Sequence, residues 1–174
     1  SVADCIERTK KYKIAGYTDL EQHESMYKYL GTDNVLKEMF ENGIKNAAVG
    51  IGYMGKGKLR EKLYLRLKKI GYNLPVICDP SSIIASTAKI GEGVFVGKNA
   101  IINADAEVDR MAIINTNALV EHECIVGEYT HVAVGAVLCG QARVGRASFI
   151  GANATVIQGR TIEAETIIPA GTVI

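Results

Sequence analysis

The second half of this sequence repeats with a period of six residues. From Ile84 to the end of the chain, an aliphatic residue stands at every sixth position without a break. The sixteen positions are Ile84, Ile90, Val96, Ile102, Val108, Ile114, Val120, Val126, Val132, Leu138, Val144, Ile150, Val156, Ile162, Ile168 and Ile174. This period fits neither a 3.6-residue helix nor the two-residue alternation of a strand. It is typical of a short strand and a tight turn, three of which form one triangular coil.

A second track of mostly small residues runs four positions behind each aliphatic residue. It includes Ala88, Val94, Ala100, Ala106, Ala112, Ala118, Cys124, Thr130, Ala136, Ala142, Ser148 and Ala154, and it is broken at Arg160. We expect the small residue at a corner, where a large side chain does not fit. A glycine, or an asparagine such as Asn103 or Asn115, often follows the aliphatic residue and is expected to supply the corner's unusual backbone angles. Residues 76–174 are thus predicted to form about five coils of a parallel β-helix. Known examples of this repeat are left-handed, an exception to the usual crossover rule.

The first half has a different pattern, with helices alternating with strands. We predict helices over Val2–Thr9, Asp33–Asn42 and Lys58–Lys69, the last closed by Gly71. Tyr12–Thr18 and Asn46–Ile51 are predicted strands. Residues 1–75 are therefore expected to form a small α/β domain with a parallel sheet. Because the chain opens within a helix and closes within a repeat, residues are expected to be missing at both ends.

Composition excludes several functional classes. The chain has 20 Lys+Arg against 19 Asp+Glu, a balance that indicates neither a nucleic-acid partner nor a membrane surface. The densest basic stretch, Lys56–Lys69, is interleaved with Leu59, Leu63 and Leu67, so its charges are predicted to be the wet face of a helix. No apolar run is long enough to span a bilayer. The four cysteines have no C-x-x-C spacing and are predicted to be reduced, structural thiols of a cytoplasmic protein.

His122 is the strongest candidate for a catalytic base. It stands between Glu121 and Glu123, which can orient an imidazole and raise its basicity. One 18-residue coil further on is Gly140, whose backbone N–H can stabilise an oxyanion. His131 lies half a coil away and cannot meet His122 within one subunit. If three prisms pack around a threefold axis, the two histidines can face each other across a boundary, so the pattern hints at an interfacial site.

The motif around these histidines closely resembles the NeuD/PglD-type sugar O-/N-acyltransferases. The resemblance rests on the segment Ile114–Gly127, which contains Asn-Thr-Asn and Glu-His-Glu, followed by His131-Val-Ala-Val-Gly135. The N-terminal half is similar to that family's truncated, Rossmann-like nucleotide-sugar domain through Tyr17-Thr-Asp19, Leu30-Gly-Thr-Asp33 and Gly50-Ile-Gly52. The match covers essentially the whole chain.

The resemblance implies a homotrimer that transfers an acetyl group from acetyl-CoA to a nucleotide-linked amino sugar, without a metal, in bacterial glycan biosynthesis. His122 would be the general base, Glu123 would hold it, and Gly140 would donate to the oxyanion. The remaining implied contacts are His131, Ala152 and Ala170 with acetyl-CoA, and Asp19 and Gly52 with the nucleotide sugar.

Three alternatives stay open at this point. One is O-acetylation of sialic acid, and a second is a non-catalytic trimeric scaffold. A third is a zinc enzyme of the γ-carbonic-anhydrase kind, which needs three histidines around its metal. Only His122 and His131 lie in the repeat region, since His23 belongs to the first half and has no assigned role.

Overall fold

The N-terminal region is a short α/β unit in the computed structural model, which describes residues 1–54 and 58–174. Its elements are α1 (Val2–Thr9), β1 (Tyr17–Thr18), β2 (Tyr29–Gly31), a 3₁₀ turn (Asp33–Val35), α2 (Leu36–Glu41) and α3 (Leu59–Ile70). β1 and β2 form a two-stranded parallel sheet. Gly71 ends α3 with a left-handed backbone, as predicted. None of the helices in the described part of the chain is long and apolar enough to cross a membrane.

The rest of the chain is a left-handed parallel β-helix with three faces, as the six-residue period predicts. Face 1 contains β3 (Ile77–Cys78), β6 (Phe95–Val96), β9 (Ile113–Ile114), β12 (His131–Val132), β15 (Phe149–Ile150) and β18 (Ile167–Ile168). Face 2 contains β4 (Ile83–Ile84), β7 (Ile101–Ile102), β10 (Leu119–Val120), β13 (Val137–Leu138) and β16 (Thr155–Val156). Face 3 contains β5 (Lys89–Ile90), β8 (Glu107–Val108), β11 (Ile125–Val126), β14 (Arg143–Val144) and β17 (Thr161–Ile162).

Each strand pairs in parallel with the strand 18 residues away, so Leu119 lies beside Val137. The second residue of each strand points inward, and the column from Val96 to Ile168 forms one continuous core with the small corner residues. Both periodic tracks are therefore confirmed. The corner position of Arg160 is the exception, since this side chain is exposed near the end of the solenoid.

The corners differ from the prediction in where the unusual backbone angles fall. Positive φ values occur at the third residue after the inward aliphatic residue, as at Glu123 with φ 59° and Gln141 with φ 63°. The glycines directly after the aliphatic residue are required for a different reason, which is the space available for a side chain. A Cβ on Gly145 or Gly151 would collide with the backbone of the next coil, at Ala164 or Ala170. These glycines permit close stacking of coils and do not supply the left-handed turn.

Two predicted strands are wrong in extent. Of Tyr12–Thr18 only Tyr17–Thr18 is a strand, and Asn46–Ile51 contains a single bridge, from Asn46 to Asn73. A strand is defined by its hydrogen-bonded ladder, which needs a neighbour along its whole length. Within the described residues the only pairing in this region is between β1 and β2 and at that bridge. The apolar pattern of these segments therefore does not become regular structure.

The buried face of α3 is also rotated from the predicted one. Arg60, Tyr64 and Leu67 are buried, whereas Leu59 is exposed. Arg60 was expected on the wet face, but its guanidinium finds backbone carbonyl acceptors and so can be buried. Lys56 lies outside the described residues.

A buried carboxylate fixes α1 to the first coil. Asp79 is 1% exposed, and the Arg8 guanidinium contacts its two oxygens at 2.9 and 3.1 Å. Burial alone would raise the pKa of Asp79. Hydrogen bonds from the Ser81 hydroxyl and N–H, from Cys5 and from Arg8 outweigh it and lower the pKa to about 2. Asp79 is therefore ionised in the folded protein, and burial beside it raises the pKa of the Cys5 thiol to about 11.

Removal of the cation in Arg8→Ala is expected to destabilise the fold by about 1–3 kcal/mol at pH 7, because it leaves Asp79 short of a partner. The pKa of Asp79 is lower in the folded chain than its ordinary value of 3.8. The ionised carboxylate of Asp79 therefore contributes to the stability of the fold above pH 3.8. The contribution is lost as the pH falls toward about 2. Urea unfolding at pH 7 and pH 3 should therefore show a smaller difference between variant and parent at pH 3.

The matched control is Lys37→Ala, which removes an exposed ion pair with Glu41. Exposed pairs of this kind contribute about 0.5 kcal/mol or less. Equal losses in the two variants, or a loss in Arg8→Ala that does not depend on pH, would contradict the role given to Asp79.

Candidate active site

His122 lies in the turn that joins face 2 to face 3, between β10 and β11. Its side chain is 49% exposed, and its Nδ1 lies 3.2 Å from Oε2 of Glu123. The backbone N–H of His122 donates to Oε2 of Glu121 at 3.1 Å. The two glutamates that flank His122 in the sequence therefore hold it by different means, one through the ring and one through the backbone.

The contact with Glu123 fixes the tautomer of His122. An ionised carboxylate only accepts hydrogen bonds, so the proton of a neutral imidazole belongs on Nδ1. Hydrogen bonds from Gln141 and His122 lower the pKa of Glu123, which keeps it ionised at neutral pH. Nε2 then carries a lone pair that can accept a proton.

Gly140 stacks directly on the ring of His122, one coil further along. A Cβ built on Gly140 would lie 2.5 Å from Nε2 and 2.7 Å from Cε1 of His122. The glycine is therefore needed to leave room for the imidazole. The N–H of Gly140 donates to no acceptor among the described residues. A lone pair and a free backbone donor thus lie next to each other at one corner of the prism.

A network from the neighbouring coils supports these residues. Gln141 donates to Oε2 of Glu123 at 3.0 Å, and Asn103 donates to Oε1 of Glu121 at 2.9 Å. Neither residue was predicted from the sequence to support the site. Each stands 18 residues from the glutamate that it contacts, so the coil length contained the signal.

His131 has different surroundings from His122. It points outward from β12 on face 1, yet it is only 9% exposed. Its Nδ1 lies 2.5 Å from the carbonyl oxygen of Tyr53, and its Nε2 lies 3.1 Å from Nδ2 of Asn115. Burial lowers the pKa of His131, so the ring is neutral at neutral pH. Both ring nitrogens are occupied in this structure.

Ala152 and Ala170 lie in successive turns between faces 1 and 2. They stack on each other, since the N–H of Gly171 donates to the carbonyl of Ala152 at 2.9 Å. Their own N–H groups donate to no acceptor in the part of the chain that is described. His122 and Gly140 occupy the opposite edge of face 2. One chain therefore does not bring these two groups of residues together.

The N-terminal candidates are separate from His122 in one chain. Asp19 follows β1, and its carboxylate accepts from the N–H of Leu20 at 2.7 Å and lies 3.4 Å from Nε2 of His23. This pairing gives His23 a neighbour that the sequence did not predict. Gly52 is exposed, and a Cβ built on it would meet nothing within 4 Å. Gly52 thus presents an open stretch of backbone.

The three histidines lie in separate parts of the protein, so a single chain does not assemble a three-histidine zinc site. His122 lies at the corner of faces 2 and 3, His131 is buried on face 1, and His23 is in the N-terminal region. The described chain contains one group of potential metal ligands, whose ligand atoms all lie within 4.8 Å of one another: Asp4, Cys5 and Asp79. Its carboxylates are already paired with Lys98 and Arg8. The geometry at His122 instead suits removal of a proton from a nucleophile beside an oxyanion donor, as acyl transfer requires.

Known proteins of the same architecture give a consistent comparison. Residues 1–67 match the PglD N-terminal domain. The crystal structure of PerB from Caulobacter crescentus in complex with CoA and GDP-perosamine has a TM-score of 0.94 and 33% identity, covering 99% of this chain and 82% of that one. The acetyltransferase domain of PglB from Neisseria gonorrhoeae, in complex with acetyl coenzyme A, has a TM-score of 0.92 and 27% identity, covering 99% of this chain and 83% of that one.

A curated relative is covered only in part. GDP-perosamine N-acetyltransferase of Escherichia coli O157:H7 is 25% identical over 133 residues, which is 76% of this chain and 58% of the relative.

The fold defines a hexapeptide-repeat protein with a left-handed β-helix behind an N-terminal α/β region. Within that class, the chain belongs to the NeuD/PglD-type sugar acyltransferase family.

Proposed function

We propose that this protein is an acetyl-CoA-dependent N-acetyltransferase that acts on the amino group of a nucleotide-linked amino sugar. The observation that carries the proposal is the contact of His122 with Gly140. Nε2 of His122 lies against Gly140, whose N–H has no acceptor among the described residues, while Nδ1 of His122 is held by Glu123. A base next to a residue that can donate to an oxyanion is what acyl transfer to an amine needs.

The chemistry is a direct attack without a covalent enzyme intermediate. The sugar amine attacks the thioester carbonyl carbon, and Nε2 of His122 takes the proton that the amine loses. The carbonyl oxygen becomes an oxyanion, which accepts the N–H of Gly140. When the carbon–sulfur bond breaks, the carbonyl re-forms as an amide and the imidazolium gives its proton to the departing sulfur, which leaves as the CoA thiol and restores the neutral base. Glu123 stabilises the imidazolium that exists between these steps.

Acetyl-CoA is proposed to lie along the turns of Ala152 and Ala170, whose N–H groups have no acceptor among residues 1–54 and 58–174 and can donate to its amide and carbonyl oxygens. A contact between His131 and the thioester stays a prediction. It would require the ring to break its hydrogen bond with Tyr53 or Asn115, because both ring nitrogens are hydrogen-bonded in this structure.

The acceptor is proposed to contact Asp19 and Gly52. The names of the relatives make GDP-perosamine the first acceptor to test. An amino sugar activated by a nucleotide is a building block of bacterial glycans, and we assign the reaction to that biosynthesis. A cytoplasmic location follows from both substrates as a prediction.

The active form is proposed to be a homotrimer, with the site completed between subunits. Face 2 supports this because its outward residues are Ile83, Ile101, Leu119, Val137 and Thr155. Ile83 is 63% exposed in the single chain. An apolar face of this extent is typical of an interface. His122 lies at one edge of the face and Ala152 at the other, so packing through face 2 would join the base of one subunit to the cofactor groove of the next.

Leu119→Asp tests the trimer. A carboxylate in the middle of face 2 would have to be desolvated at each subunit boundary, which costs several kcal/mol per ion. We expect sedimentation to show monomers in place of trimers, and turnover to fall with the trimer fraction. Thr161→Asp, on face 3, is the matched control and should remain trimeric. An active monomer would contradict the interfacial site.

The function is tested by incubating the protein with acetyl-CoA and a panel of acceptors, and by following release of the CoA thiol. The panel contains GDP-perosamine, UDP- and dTDP-linked amino sugars and free sialic acid. Turnover on a nucleotide amino sugar, with the mass of one acetyl group added to the product, is expected. Turnover on sialic acid alone would move the assignment to O-acetylation. If none of the acceptors causes thiol release, the proposal is refuted and an inactive scaffold is the alternative that is left.

A further inference from the structure

His131 is a polar residue on a face that is otherwise apolar. The outward positions of face 1 are Ile77, Phe95, Ile113, His131, Phe149 and Ile167. Packing alone would accept a hydrophobic residue at position 131, where the ring already stacks edge-to-face with Phe149 at 5.3 Å. The imidazole therefore has to be explained by its two hydrogen bonds.

Those hydrogen bonds connect two different parts of the protein. Oδ1 of Asn115 accepts the N–H of Thr116 at 2.8 Å, which leaves its Nδ2 as the donor to Nε2 of His131. Nδ1–H of His131 then donates to the carbonyl of Tyr53. The ring is thus fixed in one tautomer between the corner of faces 1 and 2 and the N-terminal region.

The same N-terminal segment is held at two further points. Arg60 is 4% exposed, and its guanidinium donates to the carbonyls of Val49 at 3.3 Å, of Ile51, and of Met111 at 3.0 Å. The phenol of Tyr53 donates to the carbonyl of Ala147 at 2.7 Å.

Val49–Tyr53 therefore has no regular secondary structure but is fixed to the β-helix by side chains. Gly52 lies inside this segment, between Ile51 and Tyr53. A glycine that presents open backbone to a ligand needs its neighbours to be held, since its own backbone has the greatest freedom to lose. Arg60 holds the residue before Gly52, and His131 and Ala147 hold the residue after it.

We propose that His131, Arg60 and the phenol of Tyr53 are positioning residues for the acceptor, because together they fix the Val49–Tyr53 segment that presents Gly52. The proposal rests on the proposed function for the identity of the ligand. It gives His131 a role on the acceptor side of the reaction, in addition to the contact with the acyl donor that the family resemblance implies. Because both ring nitrogens are hydrogen-bonded in the single chain, the ring acts on the acceptor through the segment.

The test uses the full chain and His131→Phe, which fits the apolar face while removing both hydrogen bonds. The backbone order parameters of Val49–Tyr53, measured by NMR relaxation, should fall in the variant without any substrate present. The KM for the nucleotide sugar should rise about three- to tenfold, the equivalent of one lost hydrogen bond. Tyr53→Phe should give a smaller change of the same kind, because it keeps the carbonyl that His131 contacts.

Arg143→Gln is the matched control, since Arg143 is the outward residue of a strand on face 3 and is exposed. It should change neither the order parameters of Val49–Tyr53 nor either KM. Unchanged order parameters at Val49–Tyr53 in His131→Phe would overturn the proposal, even if no acceptor is ever found. A rise in the KM for acetyl-CoA alone would overturn it as well and return His131 to the donor site. Failure of the parent to release thiol with any acceptor would instead count against the proposed function.

Discussion

Replacement of His122 by alanine is expected to lower kcat on the nucleotide amino sugar by about 100- to 10,000-fold, the usual contribution of a general base. The physical reason is that Nε2 is the proton acceptor next to Gly140, and no other imidazole lies at this corner of the described chain. The variant should fold normally, because the side chain is half exposed and outside the core. The measurement is CoA thiol release at saturating acetyl-CoA, with the melting temperature recorded on the same samples.

Gln158→Ala is the matched control, because residue 158 occupies the same turn position two coils further on and is exposed. It should retain full activity. If His122→Ala turns over at the rate of this control, another group removes the proton and the assignment of the base is wrong.

Gly140→Ala is expected to lower kcat at least about 100-fold, the effect of a misplacement of roughly 1 Å at a catalytic group. The added Cβ would lie 2.5 Å from Nε2 of His122, so the imidazole has to swing away. Gly140 itself does not have a positive φ, and alanine therefore fits its backbone. Since the clash is with the end of a movable side chain, stability should be almost unchanged.

This variant separates the two parts of the site. A crystal structure of Gly140→Ala should show His122 displaced from Glu123 while the corner keeps its hydrogen bond from Gln141 N–H to the His122 carbonyl, 2.9 Å in the parent. Full activity would show that neither the position of His122 nor the open approach to the Gly140 N–H matters for the reaction.

The sequence alone determined the β-helix and the stacking of the site. An inward column at every sixth residue has one geometric solution, and an 18-residue coil then fixes which residues lie above one another. That is why the spacing of residues is enough to place Gly140 over His122. The structure also contains the pairs Gln141–Glu123 and Asn103–Glu121, each 18 residues apart, which the sequence analysis did not name although the same coil length separates them. Local periodicity carries this information because the strands of the solenoid pair only with strands of the neighbouring coils, 18 residues away.

The N-terminal region has no repeat period, and only the tertiary structure determined its strands and its buried residues. The apolar run Asn46–Ile51 reads as a strand, but a strand forms only when a neighbour completes its ladder, and that neighbour is not specified locally. Arg60 reads as a surface charge of a helix, yet it is buried because carbonyls from a loop and from the β-helix converge on it. The surroundings of His131 depend in the same way on Tyr53, 78 residues earlier in the chain. Contacts between non-repeating segments have no period to reveal them, so the roles of Arg60, Tyr53 and His131 appear only when the fold brings them together.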